Sequence, residues 1–362
     1  MFSFFKIPVF IALFYVSLNG LGYIISKLAF KKQIPYSHLY PLISFPIIFC
    51  LITYFHIFFK LYPILNLSIL LFGFYFYINN FKKIENIKLS LILLFLVTIQ
   101  FTGHDVNEDF GYYHLPYVIN FVSDKLILGL SNLSMVQGYN SAWLNISSFF
   151  YMPIFNDQTI HFANSVIYIS ILIFFINFII NEKNISQFPL SSLYALLAVS
   201  FFIIKSSRLN SFGVDVPGHI YSTIVFFLFI NFFEKNDLNF QKIIFYLILI
   251  FSLFSIFIKL SYLPLILIPI ICLYIEKKII EKKIFFIIII FSLPWIVQQI
   301  AYTSCVVFPL NFTCIKNLPW YSASDVKGAA FSLEYLNKSW GAYDGILTEK
   351  EYVKNFIWFK TW

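Results

Sequence analysis

Apolar residues in this chain come in long unbroken runs rather than in the three-to-four-residue rhythm of a surface helix or the alternation of a half-buried strand. Ten runs are long enough to be read as membrane-spanning helices, near residues 4–28, 38–59, 61–80, 87–102, 160–180, 188–205, 216–233, 240–258, 260–276 and 284–303. Helices are the expected element, because a backbone that spans lipid must satisfy its own hydrogen bonds. Lys60 and Pro63 are the punctuation between the second and third runs, which predicts a tight helical hairpin. The first run is too long for the apolar core of a cleaved signal and lacks a clear small-x-small site, so it is read as a retained span. The expected fold class is therefore an all-α polytopic membrane protein. It divides into a four-span segment (1–102), a long polar loop (103–159), a six-span segment (160–303) and a polar C-terminal segment (304–362). The abrupt finish at Phe359-Lys360-Thr361-Trp362 is compatible with a piece of a longer protein.

Composition strengthens this picture. Of 362 residues, 60% are hydrophobic and only 12% charged, against roughly 45–50% and 25% in a soluble domain. That excess is more than one globular core can hide, because surface grows with volume. The net charge of +8 would in a soluble chain raise nucleic acid as a partner. Here the bases sit in short clusters between apolar runs and form no basic stripe, so nucleic acid is excluded and the lipid bilayer is the partner.

The clusters also orient the chain. Lys27, Lys31 and Lys32, then Lys82, Lys83 and Lys88, then Lys183, then Lys235 and Lys242, then Lys277, Lys278, Lys282 and Lys283 all fall in alternate loops. The opposite loops carry fewer bases. The first side is thus cytoplasmic, and 103–159 and 304–362 face outward. Cys305 and Cys314 lie outside any span on the outward side and would pair if that side is oxidising. Cys50 and Cys272 read as small buried hydrophobes.

The outward loop breaks the general charge balance. It holds Asp105, Glu108, Asp109, Asp124 and Asp157 against the single base Lys125, and its acidic opening is flanked by His104 and His114. A carboxylate there could act as a general base on an acceptor hydroxyl, with Asp109 as first candidate and Asp105 and Glu108 beside it. Alternatively, Asp109 with His114 could hold a divalent ion such as Mg or Mn against a phosphate leaving group. Acidic outer loops are also what a positive-inside bias leaves behind. The stripe Leu115, Val118, Ile119, Val122, Leu126 predicts an amphipathic helix lying on the membrane. Beyond it, Asn140 and Trp143 combine an amide and an aromatic face suited to sugar binding, or form an ordinary loop with an interfacial tryptophan. On the same face Lys205, Arg208, Asp215 and Lys259 stand at span ends, where ionisable groups are candidates for binding a lipid phosphate or simply snorkel to headgroups.

Several short steps occur in one order: Glu108-Asp109 with Tyr113-His114-Leu115-Pro116, Gly129-Leu130-Ser131-Asn132-Leu133, Gly138-Tyr139-Asn140-Ser141, Asp215-Val216-Pro217, Lys259-Leu260-Ser261 and Phe308-Pro309-Leu310. This order resembles a group of bacterial multi-span proteins placed near the GT-C glycosyltransferases, over roughly residues 100–320. The resemblance implies a glycosyltransferase of the bacterial inner membrane that takes a sugar from a polyprenyl-phosphate carrier on the periplasmic face, with Asp109 as base or metal-associated acid. The pattern departs from GT-C enzymes in one respect: the acid follows the fourth span rather than the first. A polysaccharide polymerase or flippase would use outward arginines, of which Arg208 is the sole example. A transporter or scaffold is the third class.

Overall fold

The computed structural model describes residues 2–30, 34–80, 89, 92–97, 109–152, 159–181, 189–206, 213–235, 237–339, 348–354 and 358–359. Among them the chain is helical, with no strand beyond one isolated bridge between Cys305 and Cys314. Six helices are long and apolar enough to cross a membrane: Ile7–Phe30, Ser37–Phe58, Thr159–Asn181, Asp215–Glu234, Leu238–Ile258 and Lys282–Thr303. Each coincides with one of the ten runs. The runs at 188–205 and 260–276 form shorter apolar helices. The run at 61–80 is an 18-residue helix weakened as a span by its polar ends. Most of 87–102 lies outside the described residues.

The elements are α1 (Phe2–Phe30), α2 (Tyr40–Phe58), α3 (Pro63–Asn80), α4 (Leu115–Ser123), α5 (Ala142–Phe150), α6 (Phe162–Asn181), α7 (Leu190–Ile204), α8 (Asp215–Glu234), α9 (Leu238–Ile258), α10 (Leu267–Ile275), α11 (Lys282–Thr303), α12 (Ala323–Ser339) and α13 (Glu349–Lys354). They fall into two compact units. One comprises residues 1–125 and 141–295, the other 126–140 and 296–362. The stretch 103–159, a single loop by sequence, is thus shared between both.

In the first unit α1 packs along α3 and α2, α8 along α9, and α6 along α7. The α1–α3 crossing is set by glycine. A Cβ on Gly20 would lie 1.9 Å from the Gly73 carbonyl oxygen, and one on Gly73 would lie 2.2 Å from the Ser17 oxygen. In lipid, where apolar burial between helices gains little, such backbone approach is a main source of helix association. The outer side of α3 (Ile64, Leu67, Leu71, Phe72, Tyr75, Ile78) stays exposed, as a lipid-facing surface should.

The amphipathic helix expected after His114 is present as α4, but the face it buries is Tyr117, Val118 and Phe121. Of the expected stripe, Val118 is buried against the protein while Ile119 remains exposed. Phe121 stacks on His56 of α2 at 3.7 Å. α5 is the greater departure from the sequence reading: all nine of its residues are buried, and it touches α2, α4, α6 and α9.

The second unit is organised around Cys305, Phe308, Val326 and Ala329. Cys305 and Cys314 are joined in a disulfide. The 126–140 segment is pinned to the 296–362 segment through backbone and side-chain bonds: Gly129 N–H to Ala301 (2.8 Å), Ser131 to Tyr302 (2.9 Å), and Gln299 to Gly138 (2.9 Å). Gly129 sits at φ +70°, where a side chain would also strike Trp320.

The helix crossing can be tested by substitution. Gly73→Ala should lower stability by about 1–3 kcal/mol or more through overpacking. Gly328→Ala, in a helix with open space around that position, should be neutral or stabilise by up to about 1 kcal/mol. Thermal unfolding of purified protein in detergent compares the two.

Candidate functional site

The site grows from three chain segments of the first unit. The first is the turn that leads into α4. Residues Phe110–His114 form one π-helical turn, a geometry often found where a side chain must be aimed. Here it buries Phe110 and His114 while leaving Asp109 and Tyr112 exposed. Phe110 stacks on buried His161 with ring centres 5.3 Å apart, and the Tyr113 and His114 rings lie 4.1 Å apart.

The second segment is the start of α8. Asp215 is its first residue, where the positive end of the helix dipole favours a carboxylate. The third is the break after α9. Lys259 is extended (φ −154°, ψ 126°) between α9 and the 3-10 turn Leu260–Ile266, so its side chain leaves the helix axis. Lys259 Nζ donates to Asp215 Oδ1 at 2.7 Å. Both side chains are about half exposed, 48% and 57%. An ion pair this open contributes about 0–1 kcal/mol to stability, so its placement is better explained by what it presents than by what it holds together.

One turn along α8, His219 Nδ1 lies 3.0 Å from the Tyr262 hydroxyl. Gly218 makes this possible: a Cβ there would lie 2.3 Å from the Tyr262 ring. Asp215, His219 and Lys205 rim a cavity of about 290 Å³ whose apolar wall includes Tyr168, Phe201 and Phe202.

Electrostatics tie the first segment to the second. Burial pushes the His114 imidazole down to about 4, with Asp215 opposing the shift and His161 adding to it. His114 is therefore neutral at pH 7, able to donate from one nitrogen and accept at the other. Burial, then Asp109 and Asp215, push the Tyr113 phenol upward, which keeps it protonated and a donor. Asp109, Tyr113, His114, Asp215 and Lys259 thus share one neighbourhood.

This neighbourhood is held from behind by α5. Ser141 caps α5 and donates to the Ile258 carbonyl (2.8 Å), next to Lys259. Trp143 donates to Asn164 (2.6 Å), and Asn164 in turn to the Gly213 carbonyl (3.3 Å), two residues before Asp215. Asn145 accepts from Tyr117 of α4 (2.8 Å) and donates to Thr53 of α2 (3.0 Å).

The chain belongs to a family of unknown function. Its model, described as a domain of unknown function (DUF8201), matches residues 1–362. No curated protein and no solved structure matches the chain.

The structure sorts the residues singled out by sequence. Lys205 and Asp215 line the cavity, Lys259 is paired to Asp215, His114 feels the Asp215 charge, and Asp109 feels Tyr113 on the same turn. Trp143 is corrected: it is fully buried, packed on Phe45 at 5.3 Å and bonded to Asn164, so it has no free face for a sugar. Asn140 is buried in the second unit. Asp105, Glu108 and Arg208 lie outside the described residues. Among the described residues no three His, Cys, Asp or Glu side chains gather to hold a metal ion, so Asp109 and His114 have no described third ligand with which to bind Mg or Mn. His219, Tyr262, Tyr113 and His161 were missed. For His219 a signal existed: it follows Asp215 by four residues, the spacing that puts two side chains on one helix face.

Two outcomes follow. Since His114 binds its proton less tightly when folded than an unfolded histidine does (about 6.5), the unfolded chain charges first. Stability present above about pH 6.5 should therefore be lost as pH falls toward 4, by up to about 3 kcal/mol from this residue. His114→Gln should remove that component from unfolding curves measured against pH. Separately, Gly218→Ala should drive Tyr262 off His219, seen as a changed His219 imidazole resonance in isotope-labelled protein, while Gly213→Ala, with open space at that position, leaves it unmoved.

Proposed function

We propose that this protein is a membrane-embedded glycosyltransferase of the GT-C kind, using a polyprenyl-phosphate-linked sugar at the periplasmic face of a bacterial inner membrane. The observation that carries the reading is Asp215: it lines a cavity with an aromatic wall and Lys205 at its edge, pairs with Lys259, and lies within electrostatic reach of Tyr113 and His114, with Asp109 acting on the same Tyr113. A carboxylate accepts the proton of an attacking hydroxyl; Asp109, exposed at the start of the π-helical turn, is the one we assign to that role. Neutral His114 and protonated Tyr113 orient the reacting groups by hydrogen bonding. Lys259, paired to Asp215, and Lys205 meet the anionic leaving phosphate, with Arg208 as a further base. The aromatic wall suits the first units of an isoprenoid chain. The lysine-rich alternate loops support the periplasmic orientation, and the shorter apolar helices at 190–204 and 260–275 support a span count above six.

One observation favours transport as a second reading: the discontinuity at Lys259, between α9 and the turn before α10, is the kind of broken helix that transporters place at a binding site.

Transfer of labelled sugar from a polyprenyl-phosphate donor, in membranes carrying the wild-type protein, distinguishes them. Asp109→Asn should reduce transfer by about 10²–10⁴-fold, the usual worth of a general base, with the protein still folded. Transfer undiminished in that variant removes Asp109 from the mechanism. No labelled product from the wild type sinks the transferase reading.

A further inference from the structure

The second unit carries a separate cleft of about 400 Å³ between α12 and α13, within the size range of small-ligand sites. α12 contributes Phe331, Glu334 and Lys338, which share a face by their three- and four-residue spacing. α13 contributes Lys350, Val353 and Lys354, which share a face in the same way. Trp358 completes the lining.

The two helices are fixed to each other. Tyr352 is buried and its hydroxyl reaches the Lys338 carbonyl at 3.5 Å. Lys338 is itself immobilised: it pairs with Glu334, donates to the Val353 carbonyl (3.4 Å), and lies over the Trp358 ring at 5.6 Å. It therefore orients the indole while its charge stays in the cleft. Glu334 is satisfied by Lys338, and among the described residues Lys350 and Lys354 have no carboxylate within ion-pair distance. The cleft thus presents a net positive charge next to a flat aromatic wall.

We propose that this cleft is a binding site for an acidic saccharide. Two lysines one helical turn apart suit a carboxylate carried on a sugar ring. The indole and Phe331 suit the apolar C–H face of that ring. A lipid headgroup brings acyl chains that need adjoining apolar surface. α12 buries Val326 and Ala329, and its exposed Leu333 and Leu336 lie off the face that carries Phe331, Glu334 and Lys338, so that face offers acyl chains no adjoining apolar surface. The proposal concerns the second unit alone and stands whether or not the first unit transfers a sugar.

The test uses the full chain in nanodiscs of zwitterionic lipid, titrated calorimetrically with oligogalacturonate and, separately, with a neutral maltooligosaccharide of the same length. The wild type should bind the acidic probe, more weakly as salt is raised. Lys350→Gln with Lys354→Gln should weaken that binding by about tenfold or more, the scale of one lost charged hydrogen bond. Because both lysines are exposed, this variant should fold normally, which an unchanged melting curve checks. Trp358→Phe should weaken binding of the acidic probe less than the double variant does. Equal binding of the neutral probe, equal binding by the double variant, or no binding by the wild type overturns the proposal. So does an outcome in which the lysine substitutions change only attachment to phosphatidylglycerol vesicles, which would assign the lysines to the membrane surface.

Discussion

The first unit depends on burying a short, polar helix inside an otherwise apolar bundle. α5 carries Ser141 at its cap and Asn145, Ser147 and Ser148 along its length, all withdrawn from water. A polar group buried without a partner costs on the order of 1–3 kcal/mol, so each must be answered by a neighbour. Ser147 and Ser148 turn back on their own helix, to the Trp143 and Leu144 carbonyls. Ser141, Trp143 and Asn145 bond outward, and their partners lie on α9, α6, α4 and α2. Those bonds specify geometry in a way that packing of Ile, Leu and Phe cannot, since apolar contacts are non-directional.

The consequence is a site assembled from distant segments. Ser141 fixes the carbonyl before Lys259, Asn164 fixes the chain before Asp215, and Asn145 fixes the helix that follows Tyr113 and His114. Three separated stretches are thereby brought to one neighbourhood with no disulfide among the described residues of that unit. The open Asp215–Lys259 pair then contributes little to folding. The His219–Tyr262 contact, which Gly218 allows, is likewise exposed.

Charge is distributed sparingly. In a chain with only 12% charged residues, the two clefts, one in each unit, are both rimmed by lysine and backed by aromatic rings. In the first unit the lysine is countered by Asp215. In the second the cleft keeps an excess of positive charge. The two clefts thus differ in charge balance although both are built from the same residue types.

Run length alone determined the membrane class and the position of six long helices, because lipid enforces long apolar spans and internal hydrogen bonding on any sequence. It also marked Asp109, His114, Asp215 and Lys259, since an ionisable residue at a span end stands out against an apolar background. The same background misread Ala142–Phe150: an amide- and serine-bearing segment between spans looks like a loop, and only tertiary partners reveal it as core. Trp143 was misplaced for that reason, and His219, Tyr262 and Tyr113 were overlooked because their value lies in whom they face. Which carboxylate meets which base, and which tryptophan is wall rather than filler, was decided by the folded arrangement, because hydrogen bonds and ion pairs act over a few ångströms between residues that the chain keeps tens of positions apart.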